Sequence, residues 1–350
     1  MLIYPGIKHC SFSTKGVDMK RLGIVSFLLL VISGVYPLAA QSRLAGATVG
    51  ACSNALPNAS QLALLRWYSA DLVTRFATGG APNGITFDGS NLWVVGGPAN
   101  QVTELRASDG AVLGRFPVGN VPGYAAFDGA NIWVTNLLDN TVSKLRASDG
   151  ATLGTFPTGV FPWGIAFDGS SIWVGNITDG TVSKIRPTDG VTVGVFPAGT
   201  DPIALAFDGS SIWITNQGGA NTVTKLRAKD GAHLGTFAVG ANPVGVTFDG
   251  SSVWVANSGD NTVSRLRASD GVSLGKFPVG SDPQFIAFDG ANMWVTNMGT
   301  NNVTKLRNCD GVALGTFPVG SGPVGIAFDG VSIWVNNHPT TNTNGSVSKL

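Results

Sequence analysis

The sequence predicts an all-β fold: a seven-bladed β-propeller of four-stranded antiparallel blades, its ring closed by an N-terminal strand that completes the last blade. Three observations predict it. First, "FDG" begins at Phe87, Phe127, Phe167, Phe207, Phe248, Phe288 and Phe328, seven copies at a spacing of 40 residues, once 41. A period near 40 belongs to propeller blades or to paired-helix solenoids. Second, each copy holds four short segments, as in "GIAF", "IWVTN", "TVSKLR" and "ATLGTFPTG", rich in β-branched and aromatic residues and separated by "DGS", Asn-rich and "SDG" turns. That composition suits strands, and Gly and Pro recur too often for paired helices. Third, the last copy stops at Leu350 after its third segment, while "DLVTRFATG", residues 71–79, aligns with the fourth segment "ATLGTFPTG", residues 151–159. The missing strand of blade seven is thus expected from the N-terminal side, which leaves no free radial edge.

Along the chain, residues 1–18 read as an upstream extension, because the basic pair Lys20 and Arg21 directly follows Met19. An apolar run over 22–35 and then "YPLAAQS" complete a secretory signal peptide over 19–40, cleaved near Ala40 or after "AGA" ending at Ala47. The run is shorter than the roughly 20 apolar residues a bilayer span needs. An N-terminal extension over 41–60 leads into the propeller, 61–350. Residues 61–66, "QLALLR", align with a third segment, a place that the C-terminal "SVSKL" also claims. Either they pack elsewhere, as a helical turn, or the chain is a fragment of something longer. The terminal "SKL" matches a peroxisomal address, but the same triplet at 143–145 belongs to the repeat, and an export signal contradicts it. The expected location is secreted or periplasmic.

With 22 basic and 21 acidic residues the chain offers no basic stripe, so nucleic acid is not an expected partner. A monomer without a membrane span is expected. Much of the repeat is assigned to folding. Trp93, Trp133, Trp173, Trp213, Trp254, Trp294 and Trp334 hold one place in every second strand; packing between blades needs the same large side chain each time, whereas a binding site rarely needs seven copies. The Asp-Gly pairs of the first and third turns supply an acceptor for local N–H groups and a residue of positive φ, as tight hairpins require. A ring of calcium sites would need a second carboxylate at each turn, and none is there. Arg106, Arg146, Arg186, Arg227, Arg267 and Arg307 recur beside the third turn and are read as solvated ion pairs.

"IWVTN" followed by "NTVSKL" resembles the YVTN-type repeat of bacterial β-propellers, a group similar in fold to NHL-repeat propellers and to streptogramin (virginiamycin B) lyases; the resemblance covers residues 71–350. It implies fold far more than function, since one propeller scaffold hosts lyases, cofactor enzymes and binding modules. A lyase of that type would use a histidine with acidic residues and a magnesium ion. Beyond the signal the chain has two histidines, His233 and His338, and one glutamate, Glu104. No motif accepts the lyase residues one by one, and His338 is the candidate base in that alternative. Outside it, no cofactor, metal site or catalytic residue is expected.

The leading expectation is a binding scaffold for a protein, glycan or small ligand, acting through one variable face. Strands numbered from the axis outward place the turns between strands one and two, and three and four, on one face. Those turns are nearly uniform. The opposite face carries the differences: "NLLDN", "NITDG", "NQGGAN", "NMGTNN" and "NNHPTTNTNGS" between strands two and three, and "GAPN", "VFPW", "TDPI" and "SDPQ" in the links between blades. Both changes of repeat length fall there too. Freedom to differ marks a surface available for recognition, and link residues border the channel. Phe161 and Trp163 are the candidate stacking contacts, Asp201, Asp282 and Gln284 the polar ones, and His338 a rim contact. Cys52 and Cys309, in a compartment that permits oxidation, are candidates for a disulfide that pins the N-terminal extension.

Overall fold

Second strands are buried along nearly their whole length and outer strands alternate exposed with half-buried positions, with turn residues between, and the strands pair in chain order. The computed structural model describes residues 74–78, 80–96, 99–339 and 345–350. Six four-stranded antiparallel sheets form blades 1 to 6 at 82–117, 122–157, 162–197, 202–238, 243–278 and 283–318. Blade 7 takes three strands from 323–349 and its outer strand from Thr74–Ala77, which pairs with Ser346–Lys349 in the register Thr74↔Lys349 to Ala77↔Ser346. The ring therefore closes as the sequence predicts. Arg75 ties the closing strand to the link after blade 6 through a hydrogen bond to the Val319 carbonyl at 2.9 Å. Among the described residues no helix is long and apolar enough to cross a membrane.

The core lies between blades. Trp93 packs with Ile132, Val134 and Leu145 of blade 2, and Trp213 with Val244, Val246 and Val253 of blade 5. Six of the seven repeat tryptophans are fully buried and Trp294 nearly so. Each ring meets the outer-strand phenylalanine of its own blade, with centroids 5.1–5.6 Å apart.

One contact had no sequence signal beyond co-occurrence. In all seven blades the indole Nε1–H donates at 2.7–2.8 Å to Oδ2 of the "FDG" aspartate. Oδ1 of that aspartate accepts the backbone N–H groups two and three residues on, as at Asp168 from Ser170 and Ser171. One carboxylate thus fixes both the turn and the core side chain. The third-turn glycine is required twice over: Gly190 has φ +73°, and a Cβ there would lie 2.0 Å from the Phe156 ring of the preceding blade. The arginines pair with the third-turn aspartates three residues on, half-exposed on both sides in most blades, and contribute little. His233 lies exposed in an outer strand, bonded to Thr236.

These carboxylates make stability depend on acid. Burial pushes Asp128, Asp208 and Asp289 upward, but the indole donors and the turn N–H groups outweigh it and hold all three below the ordinary value of 3.8. A carboxyl whose folded pKa is depressed contributes stability present above its unfolded pKa and lost as pH falls through the folded one. The urea midpoint is expected to be flat from neutral pH down to about pH 4 and to fall below it.

Candidate functional site

The first strand of every blade begins at a proline paired with the second strand, and pairing resumes three residues on; the register shifts in between, as between Pro162 and Ile165. Bulges of this kind re-aim side chains. The second residue of each interruption stands close to the next blade: a Cβ on Gly164 would lie 2.2 Å from the Ile203 carbonyl oxygen, on Gly245 2.5 Å from that of Gln284, on Gly325 2.6 Å from that of Asn83. The position is Gly or Ala in blades 1, 3, 4, 5 and 7. Blades 2 and 6 carry Tyr124 and Phe285 instead.

Those two rings meet, with centroids 4.8 Å apart. Blades 2 and 6 are not neighbours, so the contact spans the axis. Trp163 of blade 3 joins at 5.6 Å from Tyr124. Three half-buried rings thus gather on the channel at its link-side end, and Gln284 lies next to Phe285 in the same interruption. Burial pushes the Tyr124 phenol strongly up, and its hydroxyl makes no hydrogen bond among the described residues. Sequence reasoning placed Trp163 and Gln284 in the links. The structure corrects this: both lie inside first strands, because the strand begins at the proline before them. It missed Tyr124 and Phe285, whose signal was the break in the small-residue column.

Phe161, Asp201 and Asp282 do occupy links, at one equivalent place with φ of 60°, 51° and 53°. The fold imposes this geometry. The N–H groups of Val121, Phe161, Asn242, Asp282 and Gly322 each donate to an Asn Oδ1 of a turn between strands two and three. Asn, Asp and Gly tolerate positive φ, whereas Val121 and Phe161 are strained there by an estimated 1–2 kcal/mol. These two precede the strands that supply Tyr124 and Trp163. Part of the variable face is structural: Asp139, Asp179 and Asp260 accept link N–H groups at 2.7–2.8 Å, and Asn136 is buried, holding Thr141 and Ser143.

Asp282 accepts Gln284 Nε2 at 2.6 Å; burial pushes its carboxyl up, against the opposing effect of that bond. His338 is half-buried at the start of the long loop of blade 7, its backbone N–H on the Gly322 carbonyl at 2.7 Å. Residues 340–344 of that loop lie outside the described residues. Cys309 is disulfide-bonded, while Cys52 lies outside the described residues, as do residues 61–66 and the segments at 1–18, 19–40 and 41–60. At the opposite end of the channel a cavity of about 490 Å³ opens toward the "FDG" turns, lined by Thr86, Thr247 and the rings of Phe87, Phe248, Phe288 and Phe328.

The magnesium of the lyase alternative does not fit the donors at the link-side mouth. Asp201 and Asp282 stand two blades apart, Asp282 is committed to Gln284, and no three His, Cys, Asp or Glu side chains among the described residues come together as a metal site.

Fold and channel define a seven-bladed propeller whose link-side mouth gathers three aromatic rings. Its solved neighbours are of the same architecture. The chain is similar to hydrazine synthase from Kuenenia stuttgartiensis (19% identity, TM-score 0.69, covering 78% of this chain and 96% of that one). It is similar also to virginiamycin B lyase from Staphylococcus aureus (20% identity, TM-score 0.66, 79% and 98%) and to a streptogramin B lyase (20%, TM-score 0.67, 79% and 96%). At such identity the likeness shows the fold, which is that of streptogramin B lyase-like seven-bladed propellers. No protein-family model and no curated protein matches the chain.

Proposed function

We propose that the protein is an exported binding scaffold that recognises a protein, glycan or small ligand at the link-side mouth of its channel. The observation that carries this reading is the meeting of Tyr124, Trp163 and Phe285 on the axis. Aromatic faces backed by an amide, Gln284, and ringed by Phe161, Asp201 and Asp282 suit stacking and hydrogen bonding to an uncharged or weakly cationic ligand. His338 stands at the rim.

The strain at Phe161 supplies a discriminating test. Phe161→Asn removes a poor fit to positive φ, so stability is expected to rise by about 1 kcal/mol. If Phe161 is kept for recognition, the same variant captures less ligand from the exported fraction, and Trp163→Ala with Asp282→Ala captures none. Undiminished capture by both variants would show the face to be inert. The second reading, a streptogramin lyase-like activity at this face with His338 as base, rests on the fold neighbours. Magnesium-dependent cleavage of a cyclic depsipeptide, lost in His338→Ala, would put it first.

A further inference from the structure

Charge is divided unevenly between the two faces of the disc. The turns between strands two and three and the links between blades hold five aspartates, Asp139, Asp179, Asp201, Asp260 and Asp282, and no lysine or arginine. Cations gather on the opposite side. Arg106 and its counterparts pair there with the third-turn aspartates. The third strands of blades 2 to 7 set Lys144, Lys184, Lys225, Arg265, Lys305 and Lys349 over their own tryptophans, 4.6–5.2 Å from the ring centroid. Lys144 and Lys349, for example, donate onward to third-turn carbonyls, those of Pro187 and Ala107. Blade 1 has Glu104 at that place. Among the described residues, the one ion pair made by a link-side aspartate is that of Asp260 with Lys276 of an outer strand, at 3.4 Å.

Four of these five carboxylates have partners. Asp139, Asp179 and Asp260 accept link N–H groups, and Asp282 accepts Gln284 Nε2. The fifth, Asp201, is half-buried, and its carboxylate takes no hydrogen bond and no ion pair among the described residues. Its place is beside the aromatic mouth. Trp163 packs against the cluster that contains Ile203 and Ala204, two and three residues beyond Asp201. The Trp163 ring is itself half-buried and meets Tyr124, which meets Phe285. Gln284 Oε1, next to Phe285, is a further acceptor without a hydrogen bond among the described residues. An aromatic face, an unpaired carboxylate and an amide oxygen thus share one mouth from which lysine and arginine are absent.

We propose that the link-side mouth receives a guanidinium cation, stacked on the open face of Trp163 and paired with the Asp201 carboxylate. This rests on the scaffold reading above and narrows its ligand to a weakly hydrated cation. Ring geometry decides between organic cations. Tyr124 and Phe285 touch, with centroids 4.8 Å apart and planes tilted by 33°, so they leave no space between them to cage a quaternary ammonium. A flat cation needs only one outer ring face. Guanidinium is planar, stacks on aromatic rings and presents a fork of N–H donors to a carboxylate, whereas an ammonium is compact and strongly hydrated. The unbalanced aspartates of this face add a longer-range attraction that salt screens.

The test is calorimetric titration of the full chain with butylguanidinium, N-acetyl-arginine amide, its uncharged isostere N-acetyl-citrulline amide, and butylammonium. The guanidinium compounds are expected to bind about tenfold more tightly than the other two, and several-fold more weakly at about 500 mM than at about 50 mM NaCl. Binding of both assigns the site to the guanidinium group itself; binding of the arginine amide alone assigns it to an arginine side chain of a peptide or protein. Asp201→Asn is expected to fold, because Asn242 holds the equivalent place with φ 57°, and to weaken binding about tenfold, as is Trp163→Leu. Asp109→Asn, on the opposite face, is expected to change nothing. Failure of both guanidinium compounds to bind, equal binding of the citrulline amide or of butylammonium, or an undiminished affinity in Asp201→Asn overturns the proposal. The scaffold reading survives that result if Trp163→Ala with Asp282→Ala still abolishes capture from the exported fraction; undiminished capture overturns both.

Discussion

Trp213→Ala is expected to lower the free energy of unfolding by about 3–5 kcal/mol, the range for truncating a large buried ring. Trp213 is fully buried between blades 4 and 5 among Ile203, Val223, Val244 and Val246. It meets Phe237 at 5.4 Å, lies under Lys225 at 4.9 Å and donates to Asp208 at 2.8 Å. Alanine leaves a cavity at the seam and removes the main donor of a nearly buried carboxylate. Domain stabilities are of order 5–15 kcal/mol, so the variant should sit close to unfolding at 37 °C. Trp213→Phe keeps an aromatic ring but loses the indole N–H and part of the buried ring volume, and should cost less than alanine, about 1–3 kcal/mol. Urea denaturation of both checks this; a loss below about 1 kcal/mol for the alanine variant would mean that the seams do not depend on these tryptophans.

The second large effect is expected at the closure. Val347 is fully buried in the third strand of blade 7, paired on one side with Asn336 and on the other with Phe76. Val347→Pro removes a ladder donor from a strand flanked on both sides, at a cost of about 3 kcal/mol or more. The cost is amplified because the strand from Thr74–Ala77 pairs with this strand and, through Phe76, covers Trp334 at 5.5 Å. Losing the pairing opens the ring between blades 7 and 1. The expected readout is a broadened, less cooperative unfolding transition, with proteolysis beginning near both ends of the propeller. A sharp transition with an unchanged midpoint would show that the ring does not rely on this strand.

The number of blades, the strand order, the closure and the structural duty of the repeated residues are all legible in the residues. The reason is local. A turn that needs Asp and Gly, or a seam that needs Trp, writes the same letter at the same spacing seven times, and the departures at the ends show which strand is borrowed. Phe161, Trp163, Asp201, Asp282 and Gln284 were legible as departures on one face. Which of these departures meet is set by the packing of the ring. Tyr124 and Phe285 are single changes in strands of ordinary apolar composition, and their contact depends on the curvature of a seven-bladed ring rather than on any spacing along the chain. The bulge after each proline, which moves Trp163 and Gln284 from link to strand, is likewise a matter of pairing. The indole of each Trp reaching the "FDG" carboxylate of its own blade needed the twist of the sheet to be seen. Glu104 shows the same limit: one acidic residue in a row of lysines is a plain substitution in the sequence. Only the folded blade makes it a buried carboxylate beside Asp88, because burial and charge proximity are properties of the assembled sheet.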